Sequence, residues 1–343
     1  MSRNTYSNPR LFLGSKEIIN FTSINYKNGG KNTVSSLSVK INDPELDDAA
    51  LLGKEVVFFL NYGSDDSVPF FRGFVRQFTP TDKDINLVVH DVLSFLAGAE
   101  SPPLTITNKE NYDGFTVGQM LYDYINTTVN ISKTIIGLDM LNDSNPPVSM
   151  TGYRNDNITP LKVVQDLLKS NDSDLTDIKN TKLIVRDDGI KSNICFVQEQ
   201  DITNSGIKFS LNDGIESISY KRRPSPNYYS TAVNGNRMTY QHNTLPTGIV
   251  LGKIGNTYEY PDQAKEAAFL DATLMEDKKE ISITVNKGHD LEIGNVVSLY
   301  VPEHPELNGK HRIVSKSISV SSNIKCVLGL NKELPKVRDF INI

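Results

Sequence analysis

The chain has 343 residues and a mass of 38.2 kDa, enough for two or three domains with real cores. Its net charge of −5, with 22% charged residues, excludes a basic nucleic-acid binder and a disordered polyampholyte. Hydrophobic residues make up 38%, mean hydropathy is −0.33, and no apolar run approaches the roughly 18 residues of a membrane span.

Strands come first along the chain. Residues 11–24 and 33–41 read as strands around the turn Asn28-Gly29-Gly30, with Val34, Val39 and Ile41 recurring among polar residues as a half-buried strand requires. Asn42-Asp43-Pro44 breaks the run, and residues 45–52 read as a short helical turn ended by Gly53. Strands at 56–60, 70–78 and 85–90 complete a unit with the strand and turn frequency of a small barrel or sandwich. Residues 91–97 are expected to form a short amphipathic helix closing it.

The character changes after Pro102-Pro103. Val117, Met120, Leu121, Tyr124 and Ile125 fall on one face of a helix. Thr159-Pro160 opens a second helix with a cap and a proline at the first helical position, and Leu161, Val164, Leu167 and Leu168 form its apolar face. Residues 182–186 and 194–198 resemble a hairpin around Asp187-Asp188-Gly189. The third part returns to β. Strands are expected at 215–221, 228–234, 248–251, 281–285, 296–300, 313–319 and 324–330, with a helix at 261–275. The fold class is therefore mixed and mainly β, with two similar β-barrel domains and a small α+β domain between them. The expected boundaries are 1–100, 101–206 and 207–343, the last with a helical insertion at about 225–280.

The similarity of the two β domains rests on three ordered phrases. Thr22-Ser-Ile-Asn-Tyr-Lys27 matches Glu216-Ser-Ile-Ser-Tyr-Lys221, and Gly53-Lys-Glu-Val-Val-Phe-Phe matches Gly294-Asn-Val-Val-Ser-Leu-Tyr. Phe71-Arg-Gly-Phe-Val-Arg76 then matches His311-Arg-Ile-Val-Ser-Lys316. Phrases in the same order imply one small β domain used twice.

The stretch from Gly288 to Val314, with Gly294, Val296, Val297, Gly309, Arg312 and Val314 at its key positions, resembles the last β domain of phage tail and baseplate hub proteins of the late-control D family. Hubs of type VI secretion spikes are relatives of that family. Phe71-Arg-Gly-Phe-Val-Arg76 running into Leu87-Val-Val-His-Asp-Val-Leu93 resembles the first hub domain and its exit strand. Thr159-Pro-Leu-Lys-Val-Val-Gln-Asp-Leu-Leu168 resembles the helix opening the middle domain, and Thr231-Ala-Val-Asn234 a strand of the second barrel.

The resemblance implies a homotrimer whose six tube-like barrels adapt a six-fold tail tube to a three-fold spike. It implies a tail tube or distal tail protein and a separate spike or needle protein as partners, with a tape measure protein as a further candidate. DNA would pass the lumen without specific binding, and the location would be the virion tail baseplate. Gly53, Arg72, Arg222, Arg223, Gly294, Gly309 and Arg312 are the candidate structural and interface residues. The alternative is a β-rich tail accessory module contacting carbohydrate or a host receptor, but Trp is absent and the 14 Tyr are scattered.

Catalytic chemistry finds little support. His90, His242, His289, His304 and His311 form no His-Glu-x-x-His helix, and Gly252-Lys-Ile-Gly255 lacks phosphate-loop spacing. Asp172-Ser-Asp-Leu-Thr-Asp177 lacks the glycine and glutamate of a calcium loop. Asp65-Asp66 and Asp187-Asp188 read as turn residues. Lys221-Arg222-Arg223 reads as an interface anchor or solvated loop in preference to a nucleic-acid patch. No enzyme, cofactor or metal site is expected. The N-terminal Met1-Ser-Arg-Asn-Thr-Tyr6 has no signal-peptide core, and Cys195 and Cys326 are expected to be buried free thiols.

Overall fold

Alternation of apolar and polar side chains sets most of the strands. Ser36–Ile41 buries Leu37, Val39 and Ile41, and Ile85–His90 buries Ile85, Leu87 and Val89, each from one face. The computed structural model describes residues 9–28, 33–43, 46, 51–60, 68–98, 104–106, 112–128, 136–138, 148–151, 153, 155–170, 181–198, 204–222, 228–233, 236–241, 252–258, 279–321 and 323–332.

The first β unit contains β1 (Arg10–Leu13), β2 (Lys16–Ile18), β3 (Phe21–Asn28), β4 (Ser36–Ile41), β5 (Glu55–Phe59), β6 (Phe71–Pro80) and β7 (Ile85–His90). The expected single strand at 11–24 is three strands, because Gly14 at φ 62 reverses the chain between β1 and β2. Most of the helical turn expected at 45–52, and Asn28-Gly29-Gly30 beyond Asn28, lie outside the described residues.

The middle of the chain contains α1 (Ser94–Ala97), β8 (Leu104–Ile106), α2 (Val117–Thr128), β9 (Ile136–Gly137), β10 (Asn155–Ile158), α3 (Pro160–Ser170), β11 (Thr181–Asp187) and β12 (Ser192–Gln198). α2 buries Val117, Met120, Leu121, Tyr124 and Ile125, the face its spacing predicts. α3 starts as expected, with the Thr159 hydroxyl accepting from the Lys162 amide at 3.3 Å. One expectation is corrected: α1 does not close the first β unit. Val92, Leu93 and Leu96 are buried in the same core as α2 and α3, with Phe74 of β6 reaching into it.

The last part contains β13 (Asn204–Ser210), β14 (Ile215–Arg222), β15 (Tyr228–Val233), β16 (Asn236–Gln241), β17 (Gly252–Tyr258), β18 (Lys279–Val285), β19 (Val296–Tyr300), β20 (Gly309–Val320) and β21 (Ile324–Lys332). The insertion between β14 and β18, for which strands at 228–234 and 248–251 and a helix at 261–275 are expected, holds in its described part a three-stranded sheet in the order β16-β15-β17, with β15 at the expected 228–234 strand. The helix expected at 261–275 and the strand expected at 248–251 lie outside the described residues.

Hydrogen-bonded neighbours run β3-β4-β7-β6-β5-β1 in the first unit and β14-β18-β21-β20-β19-β13 in the second. Taken in chain order, these are the same six positions in the same arrangement. The irregularities repeat too. β3–β4 shifts register between Phe21 and Ser23, and β14–β18 between Ile215 and Ser217. β6–β7 shifts between Val75 and Gln77, and β20–β21 between Ile313 and Ser315. A bulge is a deliberate feature of a strand, so its recurrence at matched sites is strong evidence of one design used twice. The register also moves one alignment: Val75 corresponds to Ile313, so the 71–76 and 311–316 phrases match two residues out of step.

The two units are not separate sheets. β20 pairs antiparallel with β3, from Lys316 opposite Asn28 to Val320 opposite Ile24, and this joins them into a 13-stranded sheet among the described residues. One hydrophobic core runs through both, including Ile24, Leu37, Phe58, Ile283, Ile318 and Val320. At about 25 cal/mol per Å² of apolar surface, a shared core of this kind makes the units mutually dependent for stability.

Candidate functional site

Of the seven candidate residues, Gly53, Gly294, Gly309, Arg312 and Arg72 fall at the first two of three structural junctions. The first is a turn that occurs twice. Gly53 (φ 76) donates its amide to the Val75 carbonyl at 2.8 Å, and Val75 donates back to Lys54 at 2.9 Å. Gly294 (φ 98) donates to the Ile313 carbonyl at 2.8 Å, and Ile313 donates back to Asn295 at 2.9 Å. Both glycines lie in the left-handed region that side chains avoid, because the chain must turn sharply into β5 or β19 while remaining bonded to the bulge. Arg312 reinforces the second copy by donating to the Gly294 carbonyl at 3.0 Å. Gly309, at φ 127, begins β20 and lies opposite Leu299.

The second junction is Arg72, in β6. It donates to Glu55 at 2.6 Å, to Asp187 at 2.5 Å and 3.4 Å, and to the Gly189 carbonyl at 3.2 Å. The Arg72 and Asp187 side chains are only 10% and 7% exposed. A planar guanidinium held by two carboxylates and a carbonyl is a rigid clamp, and it fastens the β11–β12 hairpin to the first β unit. The neighbouring Asp188 accepts from Ile190 and Lys191 amides and from Asn193, and these bonds hold its carboxyl down to about 2. Asp187-Asp188 is thus a clamp and a turn cap, not an acid–base pair.

The third junction lies where both β units and the middle region meet. A cavity of about 370 Å³ there is lined by residues including Tyr26, Phe70, Asp91, Ile184, Glu292 and Lys316. Lys316 is buried, donates to the carbonyls of His289 and Leu291 (2.8 Å for the latter), and lies 5.0 Å from the Phe70 ring centre. Burial pulls its ammonium below the usual lysine range. Asp91 is also buried and accepts from the Ser35 and Leu93 amides at 2.8 and 3.0 Å. Burial raises its carboxyl to about 7 against those bonds. His289 is lowered to about 4, by burial first and the Lys316 charge second. Lys316 is thus committed to backbone carbonyls of the loop before β19, and Asp91 to amides of Ser35 and Leu93, so the two side chains hold local segments of their own units beside the cavity.

The remaining sites are dispersed. Arg222 ends β14 opposite Lys279, while its side chain and Arg223 lie outside the described residues. Gly252-Lys-Ile-Gly255 lies within strand β17. His304 contacts the Tyr220 ring at 5.1 Å, whereas buried His311 donates to the Leu307 carbonyl at 2.6 Å. Asp65-Asp66 and 172–177 lie outside the described residues. Among the described residues no cluster of three metal-ligating side chains occurs, and no helix is long and apolar enough to cross a membrane. Cys195 and Cys326 are buried free thiols, as expected, and burial raises Cys326 to about 11. Asp91 and Lys316 were missed from sequence. Their burial is created by contacts between distant segments, and a charge just past a strand end, as at Asp91, or within a strand, as at Lys316, otherwise reads as solvated.

No family model matches the sequence, and no curated protein matches it. Solved structures do. A tail protein from Neisseria meningitidis MC58 superposes with a TM-score of 0.63 at 13% identity, covering 95% of this chain and 97% of that one. The 43 kDa tail protein of prophage MuSo2 from Shewanella oneidensis gives 0.62 at 13% identity, with coverages of 95% and 97%. The E. coli c3393 protein, a type VI secretion component described as structurally similar to the T4 tail proteins gp27 and gp5, gives 0.56 at 9% identity, covering 94% of this chain and 77% of that one. The fold is therefore that of phage tail proteins and a type VI secretion component, over nearly the whole length of the chain.

Proposed function

We propose that the chain is a structural tail protein, the baseplate hub, acting as a homotrimer. Three copies place six β units in a ring, which matches a six-fold tail tube on one side and leaves three-fold symmetry for a spike on the other. In this reading residues 1–100 and 207–343 are the ring-forming domains, 101–206 is an outer α+β domain, and Arg222 and Arg223 belong to an interface. The partners are a tail tube or distal tail protein, a spike or needle protein and, at the lumen, a tape measure protein. DNA crosses the lumen without specific contacts, which an acidic chain of net charge −5 favours. The role is non-enzymatic.

The observation that carries this reading is the strand order occurring twice and joined at β3–β20, since two like units side by side are one third of such a ring. The fold shared with tail proteins supports it. Light scattering of the purified chain over a concentration series tests it. A species near 115 kDa, three times the 38.2 kDa chain, is expected. A monomer that stays monomeric with tube and spike proteins present would overturn it.

A further inference from the structure

The junction between the two β units has two sides, and each side has a counterpart that the single chain leaves open. Within the chain, β20 offers Lys316–Val320 to β3. The counterpart of β3 is β14: both begin at a matched register shift, and Ile24, Tyr26 and Asn28 correspond to Ile218, Tyr220 and Arg222. The counterpart of β20 is β6, in which Phe78, Thr79 and Pro80 correspond to Lys316, Ser317 and Ile318.

Among the described residues, β14 pairs with β18 alone, and the Gln77–Pro80 half of β6 pairs with β7 alone because β5 covers only Phe71–Phe74. Exposure follows the same division. Ile24 is 0% exposed beneath the internal junction and Tyr26 lies 4.9 Å from Phe70, whereas Ile218 is half-buried and Tyr220 is 37% exposed. An open edge carrying partly exposed apolar side chains is a template for another strand.

We propose that β14 of one protomer pairs antiparallel with the second half of β6 in a neighbouring copy, in the register of the internal β3–β20 junction. This rests on the trimeric reading above and names the strands that would close the ring. Transferring the register places Arg222 opposite Phe78 of the partner subunit, Lys221 opposite Thr79 of the partner subunit and Tyr220 opposite Pro80 of the partner subunit. The contact is heterologous, head to tail, so three protomers alternate three such junctions with three internal ones.

Chain geometry also sets the strength of this junction. The Thr81 amide bonds inward to the Asp84 carbonyl at 2.8 Å, so the alternation of a strand turns the nitrogens of Phe78 and Pro80 outward. Pro80 has no N–H, so the intermolecular ladder has one donor fewer than the internal one, where isoleucine occupies that position. The hairpin also turns at Thr81, before the counterparts of Ser319 and Val320 can extend the ladder. The junction is therefore shorter and more reversible than the one within the chain.

Thr79 and Lys221 form the non-hydrogen-bonded pair in this register, the geometry in which side chains approach most closely and a disulfide fits. Both are exposed in the single chain, so Thr79→Cys with Lys221→Cys leaves folding intact, and the native thiols are buried. Oxidation of the full-length double variant is expected to give covalent trimers on a non-reducing denaturing gel, at least tenfold more than Lys83→Cys with Lys221→Cys. Light scattering is run on the same samples. Trimers that form without the disulfide, or with equal cross-linking in the off-register pair, would overturn the proposed pairing and leave the trimeric hub standing. Monomers without cross-links at every concentration, with tube and spike proteins present, would overturn both.

Discussion

The first and second β units share their strand order but not their surroundings, and the differences show which parts of the design are free to vary. In the first unit the outer strand β1 runs antiparallel to β5, whereas in the second β13 runs parallel to β19. An edge strand offers donors and acceptors to either direction, so the direction follows from where the chain arrives. β1 leads through the β2 hairpin, while β13 enters from the middle region and turns tightly into β14 through bonds between Ser210 and Asp213. The loop from β3 to β4 is short, but the matched position between β14 and β18 holds the β15–β17 sheet. What does not vary is the glycine turn bonded to a bulge. That feature sets the direction of β5 and β19 into the shared core, so it is the constrained part.

Matched substitutions break or sharpen this comparison. Arg72 and Lys310 occupy the same position opposite β5 and β19, yet Arg72 is clamped and Lys310 is exposed. Arg72→Met should cost about 3–5 kcal/mol in urea unfolding, because it strands Glu55 and Asp187 together. Lys310→Met should stay within about 0.5 kcal/mol. Equal effects would show that the clamp does not fasten the middle region.

Ile24→Ala, beneath the internal junction, should cost about 2–5 kcal/mol, whereas Ile218→Ala in the single chain should cost about 1 kcal/mol or less. The turns behave oppositely. Gly53→Val and Gly294→Val should lower stability by similar amounts, about 1–3 kcal/mol each, through backbone strain. A thermal melt in which only one of them shifts would end the claim that the turns are equivalent.

The smallest effect concerns pH. Asp91 keeps its proton to about 7 when folded, against 3.8 for a free aspartate, so folding loses stability as pH rises between those values. His289 titrates at about 4 when folded, against 6.5, so folding gains stability as pH rises from about 4 to 6.5. The slopes oppose each other, and the native chain should vary little in that range. His289→Asn should uncover a decline from pH 4 to 7, and Asp91→Asn a rise, in unfolding free energies measured across pH.

Much of the fold is legible in local pattern. The α2 and α3 faces, the Thr159 cap and the turn at Asp187-Asp188-Gly189 follow from spacing and turn chemistry within a few residues of each position. Gly53 and Gly294 were singled out because each precedes a β-branched strand, and both do hold positive φ. Short strands such as β9 and β10 left no readable period. In the insertion, the strand expected at 228–234 is present as β15 and the alanine-rich stretch 261–275, read as a helix, lies outside the described residues, while the parallel pairing of β15 with β17, separated in sequence, is announced by no local pattern.

By itself, the sequence determined the strand periods, the helices, the turn glycines and the repetition of a β unit. These depend on backbone sterics and on side chains a few positions apart. Only the tertiary structure decided that the two units share one sheet, that α1 joins the middle core, and that Arg72, Asp91 and Lys316 become buried junction residues. Those outcomes depend on which distant surfaces meet. Burial and desolvation arise from contacts between segments far apart in the chain, which no neighbouring residue encodes.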